Sequence, residues 1–215
     1  MRPDLPGFGI SEAYETISVE AMAEALNAVL ENEKIENCVL IGHSMGGYVA
    51  MAFAEKYAAK LKGLCLFHSH PFADSEEKKQ NRRKTIEFME RWGSAAFVKE
   101  LVPKLFAKSF VQENAEFVHK FSARAEAFPQ KGIIAATRAM IDRPDRSEVL
   151  KEFKCPILFI IGKYDEAIPL DISEAAVKLR PNDKAYILPV AHMGMFEAKE
   201  DCLTILEMFL SEIQH

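Results

Sequence analysis

Three short runs of the chain are almost wholly apolar and show little polar alternation: Cys38 to Gly42, Gly63 to Phe67 and Pro156 to Gly162. Runs of this kind suit parallel strands covered by helices on both faces. Lys184 to Pro189 is a weaker fourth. Between them apolar positions recur at helical spacing. Ala21, Met22, Ala25, Leu26, Val29 and Leu30 form one stripe, and Leu203, Leu206, Met208, Phe209, Leu210 and Ile213 form another. Strand and helix alternate, which predicts an α/β fold with a mostly parallel sheet and flanking helices.

The middle of the chain breaks this rhythm. From Pro71 to about Leu150 the pattern is helical with no strand, which predicts a helical cap over 71–150 inserted into a core formed by 1–70 and 151–215. The first helix of that insertion carries Lys78, Lys79, Arg82, Arg83 and Lys84 beside Glu76 and Glu77, a mixture expected of a solvated face. Phe88, Met89, Trp92, Phe97, Leu101, Leu105, Phe106, Phe110, Phe117 and Phe121 give it an aromatic interior suited to roofing a pocket, most of them packing the cap itself.

Composition narrows the function. At 215 residues, 49% apolar and 27% charged, the chain has room for one core with a small insertion. Its 27 Lys and Arg against 32 Asp and Glu leave a formal charge of -5, which argues against a nucleic-acid partner. The apolar runs fall far short of the roughly 20 residues of a membrane helix. Met1-Arg2-Pro3-Asp4 lacks the order of a secretory signal, so a cytoplasmic location is expected. Cys38, Cys65, Cys155 and Cys202 stand far apart with no Cys-x-x-Cys pair, as buried free thiols rather than disulfides or a zinc site.

The residues with chemical potential lie at strand ends. Gly42-His43-Ser44-Met45-Gly46 fits Gly-x-Ser-x-Gly between an apolar strand and a helix expected from Met45 to about Tyr57. So tight a turn forces Ser44 into unfavourable backbone angles, and the glycines two before and two after, with Gly47, let neighbouring backbone approach. It also points the hydroxyl at a helix N-terminus, where free amides favour developing negative charge. A serine needs a base, and the base needs an orienting acid. Asp165 lies just past an apolar strand, with Glu166 as its nearest rival, and His192 follows the last strand.

With these residues in place the chain resembles the α/β-hydrolase superfamily, in its capped branch of esterases, lipase-like enzymes, carbon–carbon hydrolases and haloperoxidase-like proteins. The resemblance covers nearly the whole chain. It rests on Gly-His-Ser-Met-Gly-Gly at 42–47, Asp4-Leu5-Pro6-Gly7-Phe8-Gly9, Gly162-Lys163-Tyr164-Asp165 with Ile168-Pro169, and His192 with Glu197. It implies Ser44 as nucleophile, Asp165 as acid, His192 as base and the Met45 backbone N–H as an oxyanion donor, with no metal or organic cofactor.

His43, His68 and His70 also fall near strand ends and are candidates for the pocket wall. The His68-x-His70 spacing could hold a metal, but no third ligand is evident, so a hydrogen-bonded structural or pocket role is expected. His119 and His215 are expected at the surface. In the family the Asp-Leu-Pro-Gly-Phe-Gly segment follows a fourth strand, whereas here it begins at Asp4. The resemblance therefore implies that the family's first strands and the His-Gly loop supplying a second oxyanion amide are missing from these residues, either because the protein lacks them or because Met1 is an internal methionine of a longer protein. Their loss would impair turnover and leave an apolar edge prone to dimerisation or strand exchange. The reading is a serine hydrolase acting on a small or medium acyl substrate. The alternatives are a non-catalytic ligand-binding protein on the same scaffold, or haloperoxidase-like or carbon–carbon hydrolase chemistry.

Overall fold

The computed structural model describes residues 1–214, so His215 lies outside the described residues. In chain order its elements are α1 (Val19–Asn32), β1 (Cys38–His43), α2 (Met45–Tyr57), β2 (Leu61–Phe67), α3 (Glu76–Trp92), α4 (Ser94–Lys104), α5 (Lys108–Glu113), α6 (Ala115–Glu126), α7 (Gln130–Asp142) and α8 (Ser147–Glu152). They continue with β3 (Ile157–Gly162), α9 (Leu170–Lys178), β4 (Lys184–Leu188), α10 (Gly194–Glu197) and α11 (Lys199–Gln214). The four strands form one parallel sheet in the order β1-β2-β3-β4.

Alternation along the central strands explains why both faces are apolar. Leu64 and Leu66 of β2, with Ile157, Phe159 and Ile161 of β3, face the core shared with α1, α2, α8 and α9. Cys65, Phe67, Leu158 and Ile160 point the other way, onto Cys202, Ile205 and Phe209 of α11. A period of two therefore yields continuous hydrophobicity when each side has its own helix layer. On α11 the inward residues are Cys202, Ile205 and Phe209, while Leu203 and Met208 of the expected stripe are 43% and 46% exposed. The true stripe begins one residue earlier, at a cysteine. Cys65 and Cys202 are buried free thiols, but Cys38 and Cys155 are only half-buried.

Helices α3 to α8 occupy the segment between β2 and β3. Phe106 stacks on Phe110, and Phe117 and Phe121 meet them mostly edge-on, closing on Phe196, which comes from α10 after the last strand. Phe97, Leu101 and Leu105 instead line a cavity, and Trp92 is 62% exposed. Ala136 and Ala139 of α7 and Leu150 of α8 join the core beneath. Arg146, buried, spans from Glu55 of α2 (2.9 Å) to Glu20 of α1 (2.5 Å). Among the described residues no helix is long and apolar enough to cross a membrane.

Candidate active site

The turn from β1 into α2 places Ser44 at φ 51°, ψ -120°, a conformation L-residues rarely adopt. A Cβ on Gly42 would stand 2.5 Å from the Gly46 carbonyl oxygen, and one on Gly47 would stand 2.1 Å from Ser69 Oγ. Gly46 behaves otherwise than expected, because a Cβ there would meet open space. The close approach is made by Gly42 and Gly47. Ser69 Oγ donates to the Ser44 carbonyl oxygen at 2.8 Å and braces the turn from β2's end. The sequence reading gave Ser69 no role. Met45 opens α2, so its N–H belongs to the first helical turn, which has no intrahelical acceptor.

Asp165 leaves β3 in a turn that fixes its carboxylate. Oδ1 accepts the N–H groups of Ala167 (2.8 Å) and Ile168 (2.9 Å), while Oδ2 accepts Nδ1–H of His192 at 2.7 Å. Burial pushes the carboxyl pKa up, but the hydrogen bond and charge of His192, with the Ile168 N–H, outweigh it and hold the group below its ordinary value. Glu166 points to the exposed rim instead. With Nδ1 donating to Asp165, His192 presents Nε2 as its acceptor nitrogen. Asp165 and His192 are 6% and 4% exposed, so the pair is shielded from water. Ser44 and His192 line one cavity of about 750 Å3. No hydrogen bond joins Ser44 Oγ to the imidazole among the described residues, a looseness common where no substrate is bound.

The other three candidate imidazoles, His43, His68 and His70, are not among the residues that line this cavity. His43 Nε2 donates to the His192 carbonyl oxygen at 2.8 Å, and its ring lies 4.9 Å from that of His192. Burial, then the neighbouring His192 charge, lowers its pKa to about 4. His68 is 1% exposed, with φ 47° and Nδ1 3.6 Å from Asp165 Oδ2, outside hydrogen-bond range. Among the described residues neither of its ring nitrogens has a hydrogen-bond partner, and burial, then the charges of His43 and His192, brings it down to about 3. His70 accepts the Phe72 N–H on Nδ1 (3.2 Å), leaving Nε2–H to face the Tyr48 hydroxyl at 3.3 Å. Burial, then Arg143 and Lys78, lowers it to about 3. No group of three metal-ligating side chains occurs among the described residues.

One wall of the cavity is apolar, with Phe8, Phe97, Leu101, Leu105, Ile133 and Met140. The first half of α3 also lines the cavity, and it corrects the expected solvated face in part: Glu76, Glu77, Arg83 and Lys84 are exposed, but Lys78 and Arg82 turn into the cavity, and Lys79 pairs with Glu76. Ser75 caps α3 by accepting the Lys78 N–H at 3.2 Å. Positions 78 and 82 then share a face one turn apart, a spacing that could have been read from the sequence.

A family model described as alpha/beta hydrolase fold matches residues 2–199. Lipase 3 of Moraxella sp. is 24% identical over 214 residues, covering 93% of this chain and 65% of the lipase. The chain thus spans just under two thirds of that relative. 3-Oxoadipate enol-lactonase 1 of Acinetobacter baylyi is 23% identical over 211 residues, with 98% and 78% covered. A thermophilic esterase from Thermogutta terrifontis, solved with malate bound, superposes with a TM-score of 0.92 at 32% identity, covering 99% of this chain and 79% of that one. The enol-lactonase from Burkholderia xenovorans LB400 has a TM-score of 0.89 at 19% identity, with 97% and 79% covered, a likeness of fold.

Proposed function

The chain belongs to the α/β-hydrolase fold family, and from that premise we propose that it is a serine hydrolase cleaving a small or medium ester through an acyl-enzyme on Ser44. The observation that carries this reading is the 2.7 Å bond from His192 Nδ1 to Asp165 Oδ2, which leaves Nε2 as a base in the cavity that Ser44 also lines. Esterase and lipase relatives support the same reaction class.

In the proposed cycle the Ser44 hydroxyl gives its proton to His192 Nε2 as Oγ bonds to the acyl carbon. The carbonyl oxygen gathers negative charge and accepts the Met45 N–H. His192 then protonates the leaving alkoxide, and the C–O bond of the ester breaks. Water repeats the sequence on the acyl-enzyme, with His192 again taking and returning a proton, to release the acid and restore the serine. Asp165 keeps the imidazole in the Nδ1–H tautomer and stabilises its cation.

The proposal includes residues 71–150 as a cap that walls the cavity, and a cytoplasmic location, which suits four free cysteines. It also includes association at the sheet edge. The outer side of β1 has no partner strand among the described residues, and Ile41 there is 42% exposed, so a second copy pairing or exchanging a strand at this edge is expected. The test of the reaction is hydrolysis of 4-nitrophenyl butyrate. Turnover should fall by at least 10³-fold in Ser44→Ala, and turnover retained in that variant would overturn the assignment.

A further inference from the structure

Resting on the reading of Ser44 as nucleophile, we infer that Lys78 forms a subsite for an anionic group, so that the substrates are esters carrying a free carboxylate on the arm that reaches α3. Lys78 lines the same cavity as Ser44 and His192. It is half-buried, and its Nζ donates to the Ala167 carbonyl oxygen at 2.9 Å. No carboxylate lies within ion-pair distance of it among the described residues. An ammonium partly withdrawn from water with one neutral acceptor retains two N–H donors and a full charge to offer a ligand.

Two further cations stand beside it. Arg82 Nε donates to Asp74 Oδ2 at 2.6 Å, and Arg143 Nη2 donates to Asp74 Oδ1 at 2.8 Å, so two guanidinium groups share one buried carboxylate. Lys78 adds a third positive charge beside them; burial, then Arg82, lowers its pKa, while the carboxylates of Asp74 and Asp165 act the other way. His70, in the next layer, is driven down by the same three cations after burial itself. Glu77 and Glu166 also border this end, but both are exposed, where water and salt screen them. Phe97, Leu101 and Leu105, which line the same cavity, are apolar and suit the uncharged arm. The lining thus offers both a cation for an anionic group and apolar surface for hydrocarbon.

The test compares monomethyl glutarate with methyl pentanoate, which differ by a terminal carboxylate in place of a methyl group. In Lys78→Gln the ratio of their kcat/KM values, charged over neutral, should fall at least fivefold, and a smaller change would overturn the proposal. Lys78→Arg keeps the charge and the donor to Ala167, so it should hold the ratio within fivefold of the wild-type value. A loss matching that of Gln would show a clamp between α3 and the Asp165 loop instead. Binding gives a readout apart from turnover. Calorimetry of glutarate with Ser44→Ala should show saturable binding, weakened at least fivefold when Lys78→Gln is added, and absent or insensitive binding would overturn the subsite. Methyl pentanoate hydrolysis persisting in Ser44→Ala would sink the nucleophile reading while leaving that calorimetric result intact.

Discussion

The backbone N–H of His192 donates to the carbonyl oxygen of Leu105 at 3.0 Å, so the base's loop is fastened directly to the end of α4. Its own carbonyl oxygen accepts His43 Nε2–H from the opposite side. Glu197 reinforces the first tie, because one oxygen, Oε2, accepts both the Ala107 N–H and the Ala191 N–H at 3.2 Å. The base is therefore held both by the segment after α4 and by the end of β1, and disorder in either reaches the imidazole.

Glu197→Ala leaves two backbone donors without their acceptor. A loss of about 1–3 kcal/mol is expected, read as a lower urea midpoint at unchanged slope, with kcat falling alongside. An unchanged midpoint would show that water replaces the carboxylate.

Asp165→Asn keeps the shape of the turn but removes the acceptor that selects the Nδ1–H tautomer. A fall in kcat of about 10³–10⁴-fold is expected, with a much smaller effect on the binding of a carboxylate product. Retention of kcat would remove Asp165 from the mechanism.

The two glycines after Met45 should respond in opposite ways. Gly47→Ala sets a Cβ 2.4 Å from Ser69 Cβ and displaces the hydroxyl bracing Ser44, so destabilisation of about 1–3 kcal/mol is expected. Gly46→Ala enters open space inside α2 and should stabilise by about 0.4–1 kcal/mol. Chemical denaturation of both variants checks the order.

Stability should fall on acidification through the buried imidazoles. His43, His68 and His70 are held at about 4, 3 and 3 against an ordinary 6.5, so below pH 6.5 the unfolded chain binds protons that the folded one refuses. Each such group contributes up to about 1.4 kcal/mol per pH unit inside its window, present in full above pH 6.5 and lost as pH falls. Asp165, whose pKa is lowered from 3.8, adds to the loss below that value. Tm should drop steadily from pH 6.5 toward 4, and His70→Gln should show a shallower slope. A flat Tm across this range would contradict the buried neutral rings.

Much of this arrangement was legible in the sequence because it is local. The strand, tight turn and helix around Ser44 lie within one contiguous stretch, and Asp165 and His192 each follow an apolar run whose end is visible by inspection. What was not legible depends on packing between distant segments. Ser69 braces Ser44 only because β2 lies beside β1, and Lys78 reads as one charge among many until α3 is laid against the cavity. His43, His68 and His70 read as pocket residues from their strand ends, yet the sheet sets them a layer deeper. On α11 the expected stripe is right at Leu206, Phe209 and Ile213 but not at Leu203 and Met208, because the buried face starts at Cys202 and runs through Ile205.

The most direct measurement is covalent labelling by a fluorophosphonate, with the adduct located by peptide mass spectrometry. A single adduct on Ser44 is expected, abolished in Ser44→Ala and formed at least a hundredfold more slowly in His192→Gln. An adduct elsewhere, labelling at an unchanged rate without His192, or folded protein that takes no label would contradict a nucleophile at Ser44 driven by that imidazole.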